Sequence, residues 1–238
     1  MPELQLEGRC GPVPTWVERP TGAGPWPGVV VIHDANGMSE DLRSQARWLA
    51  GEGFLAAAPD LYRGGAKVRC MVRVIREVSS GRDGAAMDAL DAARGWLLEQ
   101  EGCSGRVGVI GFCMGGGFAW MLAVRGRHDA ASVNYGTMTP AVEEQLARAC
   151  PVVASFGGRD PTLRGEAERV QRRLRALGVV HDVKEYPAAG HGFMNSHRPG
   201  TMPWLFVLLA RASRTRFDPS ATADARQRIV AFFREHLA

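Results

Sequence analysis

The sequence has few lysines and no concentrated basic segment, which argues against a nucleic-acid-binding protein. Its 238 residues include 29 Lys plus Arg and 25 Asp plus Glu, but only Lys67 and Lys184 are lysines. The arginines are scattered among acidic residues, as in LRGEAERVQRRLRAL, a pattern typical of a solvated helix face. Because no basic block is interleaved with aromatic residues, we expect no nucleic-acid partner.

The sequence also lacks a long apolar run. The most apolar short stretch, PWLFVLLA at 203–210, is far below the roughly 20 residues that a membrane-spanning helix needs. The N-terminal stretch MPELQLEGRC has neither the basic region nor the apolar core of a signal peptide. We therefore expect a cytoplasmic protein with no membrane partner, and the sequence leaves its oligomeric state open.

Cysteines are few and none of them forms a CxxC pair. The odd number of five, with no metal-ligand spacing among them, indicates neither a disulfide framework nor a zinc site. The five are Cys10, Cys70, Cys103, Cys113 and Cys150. We expect mostly reduced thiols.

The chain shows no repeat, low-complexity tract or obvious linker, so we expect residues 1–238 to form a single domain. Short apolar runs alternate with helical patterns. This alternation predicts an α/β fold, with a mostly parallel sheet covered by helices on both faces. Strands are predicted at 28–34, 54–62, 106–112, 130–136, 151–158 and 180–188, and helices at 39–53, 66–79, 84–100, 114–124, between the last two strands and at the C-terminus.

Polar residues follow several of these strands. Asp34 and Asp60 lie at or near the ends of predicted strands, and Cys113, Asp160 and His191 follow the ends of others. Ligands of such folds bind at the carboxyl ends of the strands. A cysteine, an aspartate and a histidine are thus predicted, in that chain order, at one edge of the sheet.

The stretch GFCMGGG at 111–117 matches the pattern G-x-C-x-G of a nucleophile elbow, with cysteine as the nucleophile. Such a tight turn needs small neighbours, and it places the sulfur at the N-terminus of the next helix, where the dipole favours a thiolate. The N–H of Met114 would face the oxyanion of an attacked carbonyl. The loop after the first predicted strand would supply a second donor at Ala35.

Other interpretations of these residues remain open. Gly111 and Gly115 could serve only close packing of strand on helix, with Cys113 filling space. A dinucleotide-binding turn is disfavoured because the stretch lacks the G-x-G opening and lies mid-chain. Asp160 alone could be a turn residue and His191 a buried structural histidine, but the order nucleophile, acid, histidine fits the hydrolase template.

These stretches resemble the dienelactone hydrolase family of α/β-hydrolases over most of the chain. The resemblance is carried by PGVVVIHDANGMSEDLRSQARWLAGEGFLAAAPDLY, VGVIGFCMGGG, VNYG, PVVASFGGRDP and VKEYPAAGHGF. It implies an α/β-hydrolase fold with Cys113 as nucleophile, Asp160 as acid and His191 as base. It also implies oxyanion donors at Ala35 and Met114, and no metal or organic cofactor.

Two positions depart from the family pattern. Asp34 stands where the characterised lactonases carry a glutamate, and Asn195 stands where they carry a substrate-gripping arginine, although Arg198 is close. A substrate carboxylate would then lack its partner, so we expect a neutral substrate rather than the anionic dienelactone. The candidate substrate-binding residues are Asp34, Phe193, Asn195, Arg198 and Trp204, the last as part of a possible cap.

The sequence thus predicts a cofactor-independent hydrolase of a lactone or small activated carboxylic ester. Its small-molecule substrate would be cleaved through a thioester on Cys113. The alternative is a non-catalytic binding or redox-sensing protein that uses Cys113 on the same fold.

Overall fold

Eight strands form one sheet in the computed structural model, which describes residues 3–65, 67–197 and 213–238. Their order across the sheet is β1-β2-β4-β3-β5-β6-β7-β8. Neighbours from β4 through β8 pair in parallel, whereas β1 and β2 pair antiparallel at one edge. The strands are β1 Glu3–Gly8, β2 Gly11–Glu18, β3 Trp26–Ile32, β4 Leu55–Pro59, β5 Cys103–Phe112, β6 Ala130–Asn134, β7 Val152–Gly157 and β8 His181–Tyr186.

The α-helices of the described residues follow the strands as the sequence predicts, except that the short α5 between β6 and β7 is not predicted. The first helix begins after Ser39, whose hydroxyl accepts the amide N–H of Leu42 at 3.2 Å. No helix of the described part of the chain is long and apolar enough to span a membrane. The helices are α1 Glu40–Gly51, α2 Lys67–Ser80, α3 Ala85–Leu98, α4 Met114–Ala123, α5 Pro140–Glu143, α6 Glu166–Ala176 and α7 Pro219–His236.

Helices cover both faces of the sheet. Every residue of β4, β6 and β7 is buried, as expected for strands with both faces covered. A Cβ placed on Gly108 of β5 would lie 2.9 Å from Leu237, which follows α7, whereas one on Gly111 would strike Gly115 of α4. Since residues three apart in a strand point to opposite faces, α4 and α7 lie on opposite sides. The predicted α/β-hydrolase fold class is confirmed.

Strands β1 and β2 are not among the strands predicted from the sequence. Strand β2 buries Val13, Thr15 and Val17 in alternation, but its prolines at 12 and 14 argue against a strand. Pairing of β2 with β4 begins at Thr15, directly after the second proline. The prolines therefore lie outside the segment that pairs with β4, and the sheet gains two strands beyond the six predicted.

Candidate active site

Cys113 lies in a sharp turn between β5 and α4, with φ 55° and ψ −115°. A Cβ on Gly111 would lie only 2.0 Å from the carbonyl oxygen of Gly115, and one on Gly115 only 2.5 Å from that of Ile32. Both positions therefore require glycine. Positive φ is costly for a residue with a side chain and is typical of functional turns. The strained turn that the G-x-C-x-G spacing predicts is present at Cys113.

The loops after β7 and β8 bring Asp160 and His191 to this turn. Nε2 of His191 lies 3.0 Å from Sγ of Cys113, and its Nδ1 lies 2.6 Å from Oδ2 of Asp160. The other carboxylate oxygen of Asp160 accepts the amide N–H of Thr162 at 2.9 Å and its hydroxyl at 2.6 Å. The three residues that the sequence placed at one edge thus form one continuous line of polar contacts.

The charges in this line stabilise one another. Burial acts to raise the pKa of Asp160, but hydrogen bonds from His191 and Thr162 outweigh it and the pKa is lowered. Burial likewise acts to lower the pKa of His191, but the Cys113 sulfur and the Asp160 carboxylate outweigh it and the pKa is raised. The contacts with the Asp160 carboxylate and the Cys113 sulfur therefore favour the imidazolium form of His191.

The loop after β3 packs against the N-terminus of α4. A Cβ on Gly115 would lie 2.7 Å from the carbonyl oxygen of His33, so the two segments are in close contact. Ala35 and Met114 both line the cavity at Cys113. The hydroxyl of Tyr62 donates to the carbonyl oxygen of Ala35 at 2.9 Å, which restrains the loop. Ala35 and Met114 thus both border the cavity beside Cys113, and their oxyanion role stays a prediction.

Asp34 is paired rather than isolated. Its Oδ2 lies 2.5 Å from Nε2 of His197, and its Oδ1 accepts the amide N–H of Asn36 at 2.8 Å. Burial acts to raise the pKa of Asp34, yet the hydrogen bond with His197 contributes most to keeping that pKa lowered. Asp34 lines the cavity, but its charge is balanced within the protein.

Asn195 connects the histidine loop to two other elements. The hydroxyl of Tyr135 donates to its Oδ1, and its Nδ2 donates to Oδ2 of Asp41 at 2.6 Å. The ring of Tyr135 packs edge-on against His191, with centroids 5.3 Å apart. Asn195 borders the cavity, but most of its amide is engaged in contacts that hold the loop in place.

The remaining candidate substrate-binding residues are placed as follows. Phe193 is fully buried and is not among the described residues that line the cavity. Its ring packs between Tyr135 and Tyr186, with centroids 5.4 and 4.9 Å away. Phe193 therefore supports the cavity wall from behind. Arg198 and Trp204 lie outside the described residues.

Cys113 and His191 open onto a cavity of about 510 Å³. Among the described residues that line it, the ionisable ones other than Cys113 and Tyr135 are Asp34, His191 and His197, and there is no lysine or arginine. The described part of the chain holds no group of three or more His, Cys, Asp or Glu side chains suited to a metal ion.

Three residues of this site are not singled out by the sequence pattern. Tyr135 lies in the run VNYG, directly after β6, so the rule that sites follow strands could have found it. Thr162 follows Asp-Pro, a helix-start signature in which Asp160 is the cap. His197 carries no such signal, because its contact with Asp34 joins segments far apart in sequence.

Carboxymethylenebutenolidases from two bacteria are similar in sequence to this chain. A carboxymethylenebutenolidase from Pseudomonas putida is 26% identical over 206 residues, covering 82% of this chain and 85% of the relative. A candidate carboxymethylenebutenolidase from Yersinia pestis is 27% identical over 250 residues, covering 98% of this chain and 88% of the relative. Both relatives are similar along most of their length.

A solved structure gives the same result. A candidate dienelactone hydrolase from Klebsiella pneumoniae superposes with a TM-score of 0.79 at 25% identity, covering 98% of this chain and 97% of that one. The family model described as the dienelactone hydrolase family matches residues 13–237. The chain therefore belongs to the dienelactone hydrolase family and is a hydrolase of lactone or ester substrates.

Proposed function

We propose that the chain hydrolyses a lactone or small activated carboxylic ester through Cys113, His191 and Asp160. The observation that carries this proposal is the unbroken contact from Sγ of Cys113 through His191 to Asp160, at 3.0 and 2.6 Å. It meets the geometric requirement for a nucleophile, its base and the group that orients the base. The line opens onto a cavity, so a substrate carbonyl has access to the sulfur.

In the first half-reaction, Nε2 of His191 holds the proton of Cys113, and the thiolate attacks the carbonyl carbon. The amides of Ala35 and Met114 donate to the oxyanion of the tetrahedral adduct. The adduct collapses as the ester oxygen leaves and takes the proton from His191. A thioester on Cys113 remains. With a lactone, the leaving oxygen stays attached to the acyl group as a hydroxyl or enol.

In the second half-reaction, His191 removes a proton from water, and the hydroxide formed attacks the thioester carbonyl. The thiolate of Cys113 then leaves and the carboxylic acid is released. Asp160 keeps the histidine oriented and stabilises its charged form in both steps. Cys113 and water supply the protons that move and His191 transfers them, so the mechanism calls for no cofactor.

Leaving-group chemistry narrows the substrate class. A thiolate is itself a good leaving group, so an adduct with an amide would mostly expel sulfur. Enolates and phenolates compete better with the thiolate as leaving groups, which favours enol lactones and aryl esters over peptides.

A reactive thiolate also suits the cytoplasm, where thiols stay reduced. The proposal treats residues 1–238 as one catalytic domain, since all eight described strands belong to one sheet.

Pre-steady-state hydrolysis of 4-nitrophenyl acetate tests the proposal. We expect a burst of one nitrophenolate per active site, and an acetyl group on Cys113 in the mass spectrum of acid-quenched protein. Cys113→Ala should abolish both. Turnover that persists in Cys113→Ala would overturn the proposed nucleophile. Reversible oxidation of Cys113 without turnover of any ester or lactone would favour the redox-sensing alternative.

A further inference from the structure

The cavity at Cys113 has one apolar wall that the proposed chemistry does not use. Ile75 and Val78 of α2 face it, together with Met138 on the segment after β6. Helix α2 lies directly against α4, because a Cβ on Gly117 would be only 2.7 Å from Val78. The wall therefore stands beside the helix that begins at Cys113, within reach of a group carried by a bound ester.

In the described lining, the groups that could neutralise a substrate carboxylate are already paired, since His191 lies between Asp160 and Cys113. No lysine or arginine is present there, and His197 is already paired with Asp34. Arg63, which follows β4, is hydrogen-bonded elsewhere, because its guanidinium donates to Asp88 and to the carbonyl oxygen of Gly11. An unpaired carboxylate buried against this wall would be strongly disfavoured.

The cavity is also larger than a small lactone requires. Its volume of about 510 Å³ falls within the range of roughly 300–1,000 Å³ found for sites that bind drug-sized ligands. A five-membered lactone ring would leave most of the apolar wall uncovered. A substrate with an alkyl chain or a second ring would cover it.

Resting on the proposed function, we infer that the site takes an uncharged ester whose apolar acyl group lies against Ile75, Val78 and Met138. Ile75 is then a specificity-determining residue, since it borders the cavity while 37% of its surface remains exposed. The apolar wall selects the acyl group by burial, and the described lining offers no lysine or arginine to its carboxylate counterpart.

A matched pair of substrates tests the inference on the intact protein. The 4-nitrophenyl ester of hexanoic acid and the mono-4-nitrophenyl ester of adipic acid differ only in a terminal methyl or carboxylate. We expect kcat/KM to rise by about fourfold for each added methylene from acetate to hexanoate, as each is buried. The adipate ester should react at least about 100-fold more slowly than the hexanoate ester.

Two arginine substitutions on one helix give the matched control. Ile75→Arg places a cation at the cavity, so it should raise kcat/KM for the adipate ester by about tenfold or more and lower it for the hexanoate ester. Val72→Arg lies one turn away on α2, at a side chain that is 44% exposed and not part of the described lining. It should leave both rates unchanged.

The outcomes separate this inference from the proposed function. If Cys113-dependent turnover occurs but the adipate ester is preferred, or if the two arginine variants behave alike, the inference is overturned while the mechanism stands. If the adipate ester is preferred and Arg198→Ala removes that preference, Arg198 is the cation that binds the substrate carboxylate. If neither ester is hydrolysed through Cys113, the proposed function fails and the inference fails with it.

Discussion

At the scale of single residues, Cys113 differs from the other four cysteines in its neighbours. It lies at the N-terminus of α4 and contacts His191, and reactive cysteines are found in surroundings of this kind. In contrast, Cys70 is buried in the core, and burial raises the pKa of Cys150 to about 12. Reactivity toward alkylating agents should therefore be concentrated at one thiol.

We predict that limiting iodoacetamide at pH 7 labels Cys113 before any other cysteine. Its rate should exceed that of the exposed Cys10 by about tenfold or more, because the thiolate is the reacting species. Peptide mapping by mass spectrometry gives the order of labelling. His191→Ala is the control, since it removes the partner and should slow labelling of Cys113 alone. Preferential labelling of Cys10 or Cys150 would contradict the assignment.

The proposed roles of His191 and Asp160 predict unequal losses. His191 moves protons in both half-reactions, whereas Asp160 orients it, so His191→Ala should lower kcat/KM by about 10⁴-fold or more and Asp160→Ala by roughly tenfold less. Combining Cys113→Ala with His191→Ala should cost little beyond either change alone, because the two residues act as a unit. Thr162→Val, which removes one donor to Asp160, should have a smaller effect. If the double variant lost kcat/KM by the product of the two single-variant factors, the triad would be ruled out.

At the scale of elements, the loop that carries His191 is held by a polar link between β6 and α1. Tyr135 follows β6, Asp41 lies in the first turn of α1, and Asn195 joins them. Burial raises the pKa of Tyr135 well above its usual value, so its hydroxyl stays a donor throughout the working pH range. The link restrains the loop at Asn195, four residues beyond His191.

We predict that Tyr135→Phe lowers kcat by about tenfold with little change in KM, because His191 loses part of its restraint. It should also cost about 1–3 kcal/mol of unfolding free energy, since the buried Oδ1 of Asn195 is left unpaired. Tyr186→Phe is the matched control, since that hydroxyl binds Asp224 at 2.7 Å on the other side of Phe193. Equal losses of kcat in the two variants would show that the link does not position the histidine.

The same elements show what could be predicted from sequence and what could not. The six parallel strands and the turn at Cys113 follow from local signals, namely apolar runs, glycine spacing and polar residues after strands. The pairs Tyr135–Asn195 and Asp34–His197 join segments 60 and 163 residues apart. Such contacts depend on how loops approach one another in the folded chain, and no periodicity records them. Strand β2 has a weak local signal, because prolines at 12 and 14 are unfavourable within a strand.

At the scale of the whole molecule, one buried histidine links folding stability to pH. His128, between α4 and β6, is only 5% exposed, and neither ring nitrogen has a hydrogen-bond partner among the described residues. Burial lowers its pKa to about 3, and the nearby charges of Arg94 and Arg127 act in the same direction, against Asp129. In the unfolded chain the pKa of this histidine is near 6.5. Between pH 6.5 and 3, therefore, His128 binds a proton in the unfolded state but not in the folded state.

We therefore predict that His128 makes the protein less stable as the pH falls. Below pH 6.5 its contribution should decline by about 1.4 kcal/mol per pH unit, or about 2 kcal/mol by pH 5. His128→Leu removes the titrating group without breaking a hydrogen bond, so it should flatten this part of the decline. Urea unfolding of both proteins at pH 7 and pH 5 measures the difference, while other acidic groups titrate alike in the two and cancel. An equal stability difference at both pH values would mean that His128 takes up its proton in the folded state as well.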